Sequence, residues 1–532
     1  MSDSNNKKTK PCLVQTAQGF TVSYAEKFLY SKYNPSKAII QIVENLSIQP
    51  QTLILCVSPV LPYGLKELSQ KLPDDCLMLG CELEADLFDF IQQNKNIPDC
   101  DFSNIKNFSF LNKDELFNLG PDIIKKMGGE FRRIIRVDFS AAAQFNSNTY
   151  DKIVENVTNA LMTFWANRVT LVKFGRKYCT NFFKNLAVLE QTTPIQNYFR
   201  KFDKPIFVFG AGESAQDGIE QIKKTSRTDY YILCADTALQ PLIANKITPD
   251  GVFIEEAQNV ITKCFIGTQN SDIHIFAGLS SVHAITRLFK PEQISFFTTE
   301  FVQSAFLDRF DSAGILPPKN EPFGSVGITA WYYATLFRKD NSIPIYTYGL
   351  DFAYSAGRTH TKGTMADNAR FMTSSRLKTD GNYGAAFNEP AFKKNEKMYT
   401  TPIMERYAQI FRHCERSVAI HEKDCRAPFE SLRDRDNDTV VVEPVETTTD
   451  KISIILKQET SSLQELKSLL TGEKQLPAEE LQKEITRLRQ EREYLYLHFP
   501  DGHKFAYTQS FLNRVRVEIE YYLKIISCPL SL

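Results

Sequence analysis

The stretch IFVFGAGESAQDG, residues 206–218, decides the fold. Its first four residues are apolar and predict a strand that is buried on both faces. Gly210, Ala211 and Gly212 then form a tight turn, and a helix is expected to begin near Ser214. Glycine lets the backbone approach a phosphate closely, and a helix N-terminus offers unpaired N–H groups and a favourable dipole. The stretch therefore predicts a phosphate-binding strand–turn–helix unit; a tight turn without a ligand is the alternative.

The turn matches neither of the common phosphate-binding sequences. It is not a full GxGxxG motif, and it lacks the Lys-Ser/Thr pair of a Walker motif. Ser214 is expected either to cap the helix or to donate to a phosphate oxygen. Glu213 complicates the prediction, because a carboxylate beside a phosphate is repulsive unless it points away.

Strands and helices continue to alternate over residues 201–411. The strands are near-continuous apolar runs, at residues 205–210, 230–236, 250–255, 273–278, 293–299 and 344–353. Such runs are typical of strands covered on both faces. We therefore predict an α/β fold whose central domain is a doubly wound, mainly parallel sheet.

Residues 11–149 indicate a smaller, Rossmann-like N-terminal domain that follows a disordered tail at residues 1–10. GFTVSY at residues 19–24 alternates like a hairpin strand, and FRRIIRVDFS at 131–140 reads as the closing strand. The turn after the first parallel strand is SPVLPYG, with two prolines and one glycine. A nucleotide site would need a richer glycine turn, so a scaffold role is favoured for this domain.

The remaining segments are predicted to be helical or flexible. Residues 150–200 are expected to form a helical connector, and residues 451–532 a helical C-terminal region. The charged stretch at 412–450 lacks periodicity and is expected to be a flexible insert. It interrupts what reads as one strand, from SVAI at 417–420 to KISIIL at 451–456.

Composition narrows the class of protein. The 532 residues carry 63 basic and 63 acidic side chains, which argues against a broad nucleic-acid surface. The 11 cysteines show neither CxxC pairs nor metal-ligand spacing, which favours free thiols in a reducing compartment. The polar start and the lack of a run of about 18 apolar residues predict no signal peptide and no membrane span. We therefore expect a cytoplasmic protein.

Acidic residues follow two neighbouring strands of the central domain. Asp236 and Thr237 end one strand, and Glu255 and Glu256 end the next. Open α/β sheets bind ligands at the carboxyl ends of their strands, so these residues are candidates for the site. Side chains alternate along a strand, so only one of the two glutamates should face the crevice. Solvated strand ends are the alternative.

A second glycine turn, Gly324-Ser325-Val326-Gly327, precedes a predicted helix. Ser325 and Thr329 are candidate hydrogen-bond donors to an anion or hydroxyl there. A simple helix cap is the alternative interpretation.

Asp351 ends the last strand, and the loop after it contains Tyr354, Arg358, His360 and Lys362. An imidazole near a strand-end carboxylate is a plausible general base at neutral pH. Arg358 and Lys362 are expected to neutralise a phosphate or carboxylate. The weaker histidine candidate is His283, because a helix is expected around it.

Four stretches resemble the motility accessory factor family of flagellin glycosyltransferases, which share a 6-hydroxymethylpterin diphosphokinase MptE-like domain. Their order and spacing fit over roughly residues 200–410, and the stretches are GAGES at 210–214, CADTALQPLIANKITPDGVFIE at 234–255, GSVGITAW at 324–331, and GLDFAY with THTKG between 349 and 363. This chain departs from the family pattern at Glu213, where proline is usual in the family, and at the doubled Glu255-Glu256.

The resemblance implies a sialyltransferase-like core that moves a nonulosonic acid from its CMP-activated form to Ser/Thr hydroxyls of flagellin. No cofactor would be required. The implied roles are phosphate binding for Gly210, Gly212 and Ser214, and base catalysis for His360. Glu255, Ser325 and Asp351 would line the pocket, the two carboxylates taking part in catalysis. Further donor contacts are expected from Asp236, Thr237, Tyr354 and Arg358.

Two other functions remain open at this point. A pterin diphosphokinase would use ATP and Mg²⁺ held by carboxylates such as Glu255 and Asp351. A non-catalytic flagellin-binding module would keep the fold with a degenerate pocket.

Overall fold

The computed structural model describes residues 10–94, 100–127, 129–269, 271–302, 304–377, 391–421, 448–504 and 508–527. Most of the expected tail at 1–10 and most of the expected insert at 412–450 lie outside these ranges. The chain divides into two compact units, Met1–Lys173 with Phe499–Ala506, and Phe174–His498 with Tyr507–Leu532. In the part of the chain described, no helix is long and apolar enough to cross a membrane.

The first unit contains a parallel sheet and an antiparallel hairpin. The hairpin strands are β1 (Cys12–Thr16), β2 (Gly19–Tyr24) and β3 (Lys27–Phe28). The sheet has the order β6-β5-β4-β7, from strands β4 (Thr52–Val57), β5 (Leu77–Cys81), β6 (Phe108–Phe110) and β7 (Arg133–Asp138). The helices are α1 (Lys37–Asn45), α2 (Leu65–Lys71), α3 (Ala85–Gln93), α4 (Lys113–Phe117) and α5 (Leu119–Met127). The predicted Rossmann-like arrangement and closing strand are confirmed.

The crevice of this smaller sheet is filled by its own chain. Ser58, directly after β4, is fully buried. Val60 and Leu61 from the same turn pack in one core cluster with Val22 and Tyr30 of the hairpin region. The Leu61 N–H donates to the Tyr30 hydroxyl at 2.9 Å. The turn that would receive a nucleotide in a Rossmann domain is thus occupied by apolar side chains, in line with a scaffold role.

Helix α6 (Ser147–Leu186) contains the boundary between the two units and covers most of the segment predicted to be helical at 150–200. The second unit then builds a seven-stranded parallel sheet in the order β13-β12-β11-β10-β9-β8-β14. Its strands are β8 (Ile206–Phe209), β9 (Tyr231–Ala235), β10 (Gly251–Ile254), β11 (His274–Gly278), β12 (Ile294–Thr299), β13 (Lys319–Asn320) and β14 (Ile345–Tyr348).

Helices cover both faces of this sheet, which confirms the predicted doubly wound fold. The helices between its strands are α7 (Ala215–Ile222), α8 (Leu239–Ala244), α9 (Ala305–Ser312) and α10 (Val326–Phe337). Tyr333 and Phe337 of α10 pack in one cluster with Val208 of β8. Gly218 of α7 instead lies against Phe209, whose side chain points to the opposite face from Val208.

The described part of the C-terminal region, residues 448–504 and 508–527, is mainly helical, as predicted, but one expectation is wrong. A small antiparallel sheet, β15 (Tyr354–Ser355), β17 (Met398–Thr400) and β16 (Phe392–Lys393), follows the large one, with α11 (Met365–Thr373) between. SVAI lies in helix α12 (Pro402–His421) and KISIIL in α13 (Thr448–Thr471), so these stretches are not one strand. A short apolar run does not distinguish a strand from a helix turn. Helices α14 (Ala478–Gln490) and α15 (Gln509–Ser527) complete the region.

A buried ionic cluster joins the helical region to the α/β part of the second unit. The Glu459 carboxylate of α13 is fully buried and accepts hydrogen bonds from Arg309 of α9 at 2.7 Å and from the Tyr494 hydroxyl at 2.5 Å. Arg492, also buried, lies 3.3 Å from the same carboxylate. Removing one partner of such a buried group costs about 3–5 kcal/mol.

Candidate active site at the carboxyl edge of the central sheet

The candidate site lies where the strand order reverses. β8 is the first strand of the sheet along the chain, and it pairs with β9 on one side and with β14 on the other. The last paired residues are Phe209 with Cys234, and Phe209 with Tyr348. Two residues further on, Ala211 and Asp236 therefore leave the sheet at the same edge. Open α/β sheets bind their ligands at this reversal point.

Gly210 and Gly349 are required for the crossing of two backbones at this edge. The Gly210 N–H donates to the Tyr348 carbonyl at 2.7 Å. A Cβ atom on Gly210 would lie 2.3 Å from the Gly349 carbonyl oxygen, and Gly349 itself has a φ of 73°. Any other residue would force the two segments apart. The glycine signal in the sequence therefore reflects contact between chain segments.

The N–H groups of the predicted phosphate turn divide into two sets. Gly210 and Gly212 donate to Tyr348 and Gly349 carbonyls, the latter at 2.9 Å, and the Ser214 N–H donates to Asp351 Oδ2 at 3.0 Å. Within the described part of the chain, the N–H groups of Ala211 and Glu213 have no acceptor. The N–H groups that remain available to a ligand are thus those of Ala211 and Glu213.

Ser214 does not cap helix α7 with its side chain. Its hydroxyl oxygen accepts from the Gly349 N–H at 2.7 Å. The hydroxyl proton has no acceptor among the described residues, so the group can still donate to a ligand.

The Glu213 carboxylate is engaged by β15. Its Oε1 accepts from the Ser355 N–H at 3.0 Å and from the Ser355 hydroxyl at 2.5 Å. This side chain is thus tied to the loop after β14.

Asp236 carries a buried oxygen without a partner. Its Oδ1 accepts from the Thr237 N–H at 2.6 Å and from the Thr237 hydroxyl at 2.8 Å. Its Oδ2 is buried and makes no hydrogen bond in the described structure. Burial, with smaller contributions from Glu256 and Glu255, raises the pKa of Asp236 to about 7. Buried polar atoms are usually hydrogen-bonded, so this oxygen has the capacity for one further partner.

Glu255 is held by two hydroxyl groups, whereas Glu256 accepts a hydrogen bond from the local backbone. Glu255 Oε1 accepts from Thr299 of β12 at 2.5 Å, and Oε2 accepts from Thr329 of α10 at 2.6 Å. Burial raises the pKa of Glu255, while these two hydrogen bonds oppose the rise. Glu256 accepts from the Gln258 N–H at 2.9 Å. The two glutamates thus have different hydrogen-bond partners, and both contribute to the raised pKa of Asp236.

Ser325 precedes helix α10 as its N-cap residue, with extended backbone. Its side chain makes no capping hydrogen bond, although its carbonyl accepts from the Ile328 N–H at 2.9 Å. The Ser325 side chain therefore does not cap helix α10. Thr329, the second donor predicted here, is committed to Glu255.

The loop after β14 brings His360 to the phosphate turn. The Thr361 N–H donates to the Ala211 carbonyl at 2.8 Å, which fixes His360 one residue away. His360 is half-buried, and its Nδ1 lies 3.1 Å from the Thr359 hydroxyl. Burial lowers the pKa of His360, and Asp367 partly opposes this. The imidazole is therefore mainly neutral at pH 7 and able to accept a proton.

The other residues predicted in this loop differ in exposure. Tyr354 is buried and stacks on Tyr399 with ring centroids 6.5 Å apart. Arg358 and Lys362 are exposed. Both are accessible to an anion in solvent.

His283 is a structural histidine. It is buried at the start of a short 3₁₀ helix, His283–Arg287, and its Nδ1 lies 2.8 Å from Asn185 Oδ1. The Asn185 amide nitrogen donates to two carbonyls, those of Leu279 and Ser281, so its oxygen accepts from His283. Burial lowers the pKa of His283 to about 4. This histidine is neutral and holds α6 to the loop after β11.

Four residues that fix the candidate site were not among the site residues predicted from the sequence. They are Gly349, Ser355, Thr361 and Thr299. Gly349 stands in a strand-end glycine signal that was available, whereas the hydroxyl and backbone contacts of the others involve partners far away in sequence. Among the described residues, no group of three or more His, Cys, Asp or Glu has a metal-binding arrangement.

Comparison with known proteins finds a family model that matches part of the second unit. Residues 180–357 match the family model described as 6-hydroxymethylpterin diphosphokinase MptE-like. This range includes the turn at 210–214, both acidic strand ends and Tyr354.

The chain as a whole is similar to the MAf glycosyltransferase of Magnetospirillum magneticum AMB-1. The two structures agree with a TM-score of 0.51 and 12% sequence identity, over 98% of this chain and 92% of the other. An uncharacterized protein of Treponema pallidum (strain Nichols) is 29% identical over 97% of this chain and 95% of its own length. The resemblance to the motility accessory factor family is thus confirmed at the level of the MptE-like domain and the fold.

Proposed function

We propose that this protein is a glycosyltransferase that moves a nonulosonic acid from a CMP-activated donor to Ser/Thr hydroxyls of flagellin. The observation that carries the proposal is the set of unsatisfied groups at the strand reversal: the N–H groups of Ala211 and Glu213 after β8, and the unpartnered Oδ2 of Asp236 after the neighbouring strand β9. Together they offer donors for a phosphate and a buried carboxyl for hydroxyl groups. The similarity to a MAf glycosyltransferase supports the proposal through the shared fold.

The donor nucleotide would lie across the reversal point. Its phosphate would accept from the Ala211 and Glu213 N–H groups and from the Ser214 hydroxyl, near the positive end of the α7 dipole. In doubly wound folds, an acidic residue at the end of the second strand binds ribose hydroxyls. Asp236 holds that position, and its free oxygen would take up a ribose hydroxyl. We assign a contact with the sugar carboxylate to Arg358, because it is exposed and cationic.

His360 would act on the acceptor. The acceptor hydroxyl gives its proton to Nε2 of the neutral imidazole while the hydroxyl oxygen forms a bond to the anomeric carbon. The bond from that carbon to the phosphate oxygen breaks, and CMP leaves with the electron pair. Positioned proton transfer of this kind contributes about 10²–10⁴ in rate. The charge left on the phosphate would be stabilised by the turn N–H groups, so no metal is required in this proposal.

The test is co-expression with flagellin in cells that make a CMP-nonulosonic acid. The intact mass of flagellin should increase by whole nonulosonic acid residues with the wild-type protein and remain unmodified with His360→Ala. His283→Gln is the matched control, since that histidine lies outside the site; it should still modify flagellin. Full modification by His360→Ala would refute the assignment of the base.

The MptE-like match favours a second candidate, pyrophosphoryl transfer to a hydroxymethylpterin. That reaction needs ATP and Mg²⁺ near carboxylates such as Glu255 and Asp351. Both Glu255 oxygens accept hydrogen bonds from threonines, and Asp351 Oδ2 accepts from the Ser214 N–H. Release of AMP from ATP in the presence of the pterin would support this candidate. Calorimetric binding of flagellin without any nucleotide binding would support the non-catalytic module.

A further inference from the structure

The loop after β14 contacts the phosphate turn at four places along its length. Its first contact is the glycine crossing at Gly349, and its last is the Thr361 hydrogen bond to the Ala211 carbonyl. Asp351 and Ser355 make the contacts between them, to the Ser214 N–H and to Glu213. The loop that carries His360 is therefore positioned by the turn itself.

The contact between Glu213 and Ser355 differs from the other three. It is the one in which a charged side chain of the turn accepts two hydrogen bonds from the same loop residue, at 3.0 and 2.5 Å. Ser355 is also paired with Met398 in the small sheet, and its carbonyl accepts from the Arg358 N–H at 3.0 Å. A single side chain thus links the turn, the small sheet and the start of the segment that leads to His360.

We propose that Glu213 is a positioning residue whose carboxylate clamps Ser355 and so holds the loop that carries His360 against the phosphate turn. The role of His360 rests on the proposed function; the clamp itself does not. Glu213 then contributes two separate groups: its N–H faces the donor, and its carboxylate fixes the acceptor side. The acidic residue in the turn is in this way compatible with a phosphate nearby.

The expected strength follows from the type of contact. Hydrogen bonds to a charged group are stronger than neutral ones, but both residues are half-buried and water weakens the interaction. We expect loss of the carboxylate to shift the balance between docked and undocked loop by about tenfold. Loss of the Ser355 hydroxyl alone should shift it less, because the Ser355 N–H remains.

The first experiment measures hydrogen exchange in peptides that cover residues 349–363 of the full-length protein. Glu213→Ala should accelerate exchange there about tenfold, Ser355→Ala less, and Glu213→Gln by no more than about threefold, since the amide oxygen still accepts. The double variant Glu213→Ala/Ser355→Ala should be no faster than Glu213→Ala, because the two residues share one contact. Peptides from β11 serve as the internal control for the intact fold. Unchanged exchange in Glu213→Ala would overturn the proposal.

The second experiment separates the two sides of the site. In the transfer assay, Glu213→Ala should lower kcat about tenfold, while calorimetric affinity for CMP stays within about twofold and Glu213→Gln restores most of the rate. A loss of CMP affinity with unchanged loop exchange would overturn the clamp and assign the carboxylate to the donor. If the wild-type protein transfers no sugar but Glu213→Ala still loosens the loop, the clamp stands and the proposed function fails.

Discussion

Replacing Thr329 by valine tests the network around Glu255. Thr329 is fully buried, and its hydroxyl donates to Glu255 Oε2 at 2.6 Å. Valine keeps the shape of the side chain but leaves that oxygen without a donor. A hydrogen bond to a charged group contributes about 1.5–3 kcal/mol, and the unsatisfied buried oxygen carries the full desolvation cost. We expect Thr329→Val to lower the free energy of unfolding by about 1.5–3 kcal/mol at pH 8.

The effect should depend on pH in a defined direction. Burial raises the pKa of Glu255 above the ordinary value of 4.5. A group with a raised pKa in the folded state contributes stability that is present below its unfolded pKa and is lost as the pH rises through the folded pKa. Removing one opposing hydrogen bond raises that pKa further. The deficit of Thr329→Val should therefore be largest at pH 8 and should shrink as the pH falls toward 4.5.

The assay can report on the second unit alone. The chain has two tryptophans, Trp165 and Trp331, and the second lies in α10 two residues after Thr329. In a Trp165→Phe background, urea unfolding followed by fluorescence reports on α10. Thr335→Val in the same helix is the control, because among the described residues the half-buried Thr335 hydroxyl donates to the nearby Tyr332 carbonyl and to no carboxylate. A Thr329→Val deficit equal to that of Thr335→Val, or one that does not change with pH, would refute the reasoning.

Four further predictions concern the buried titratable groups of the second unit and the proposed transfer reaction. In urea unfolding, Asp236→Asn should gain on the order of 4 kcal/mol of stability relative to wild type as the pH rises from 4 to 8. The reason is that the variant lacks the carboxyl group whose ionisation near pH 7 opposes folding. A stability difference that does not change with pH would contradict the burial of this carboxyl group. His283→Gln should gain on the order of 3 kcal/mol of stability relative to wild type as the pH falls from 6.5 toward 4. The wild-type protein loses stability over this range because its buried imidazole resists protonation. Calorimetric melting at several pH values checks this. His360→Ala should lower the transfer rate by a factor of about 10²–10⁴ and change the CMP affinity by no more than about twofold. A parallel loss of CMP affinity would instead assign His360 to binding of the donor. The transfer rate should be unchanged by EDTA, and full inhibition that Mg²⁺ reverses would favour the diphosphokinase.

The fold could be predicted because its strands carry a strong local signal. The strands around Val208, Leu233 and Phe253 are buried on both faces, so their apolar runs do not depend on knowing their neighbours. The strand predicted around Ile452 is wrong for the opposite reason. It is buried in helix α13, but the few apolar residues around it fit a strand as well as a helix face.

For the candidate site, the sequence predicted which strand ends and which turn lie together, but not the contacts between them. The turn at 210–214 and the acidic strand ends were visible as short motifs, and the sheet edge placed them together. The sequence did not show which N–H groups of the turn are hydrogen-bonded and which remain available. That depends on Gly349, which lies 139 positions after Gly210. The partner of Glu213 is likewise 142 positions away. Contacts of this range are set by the tertiary fold; a glycine can mark a close approach, but the local sequence does not identify the partner segment.

The account is tested most directly by a CMP titration of protein labelled with ¹⁵N at alanine and glutamate. The central claim is that the nucleotide phosphate binds the N–H groups of Ala211 and Glu213 at the strand reversal of the central sheet. We predict that these two amide resonances shift on titration, while the alanines that follow Ser140 in the first unit do not. Absence of binding, or shifts at Ala141–Ala143 with none at Ala211, would contradict the claim.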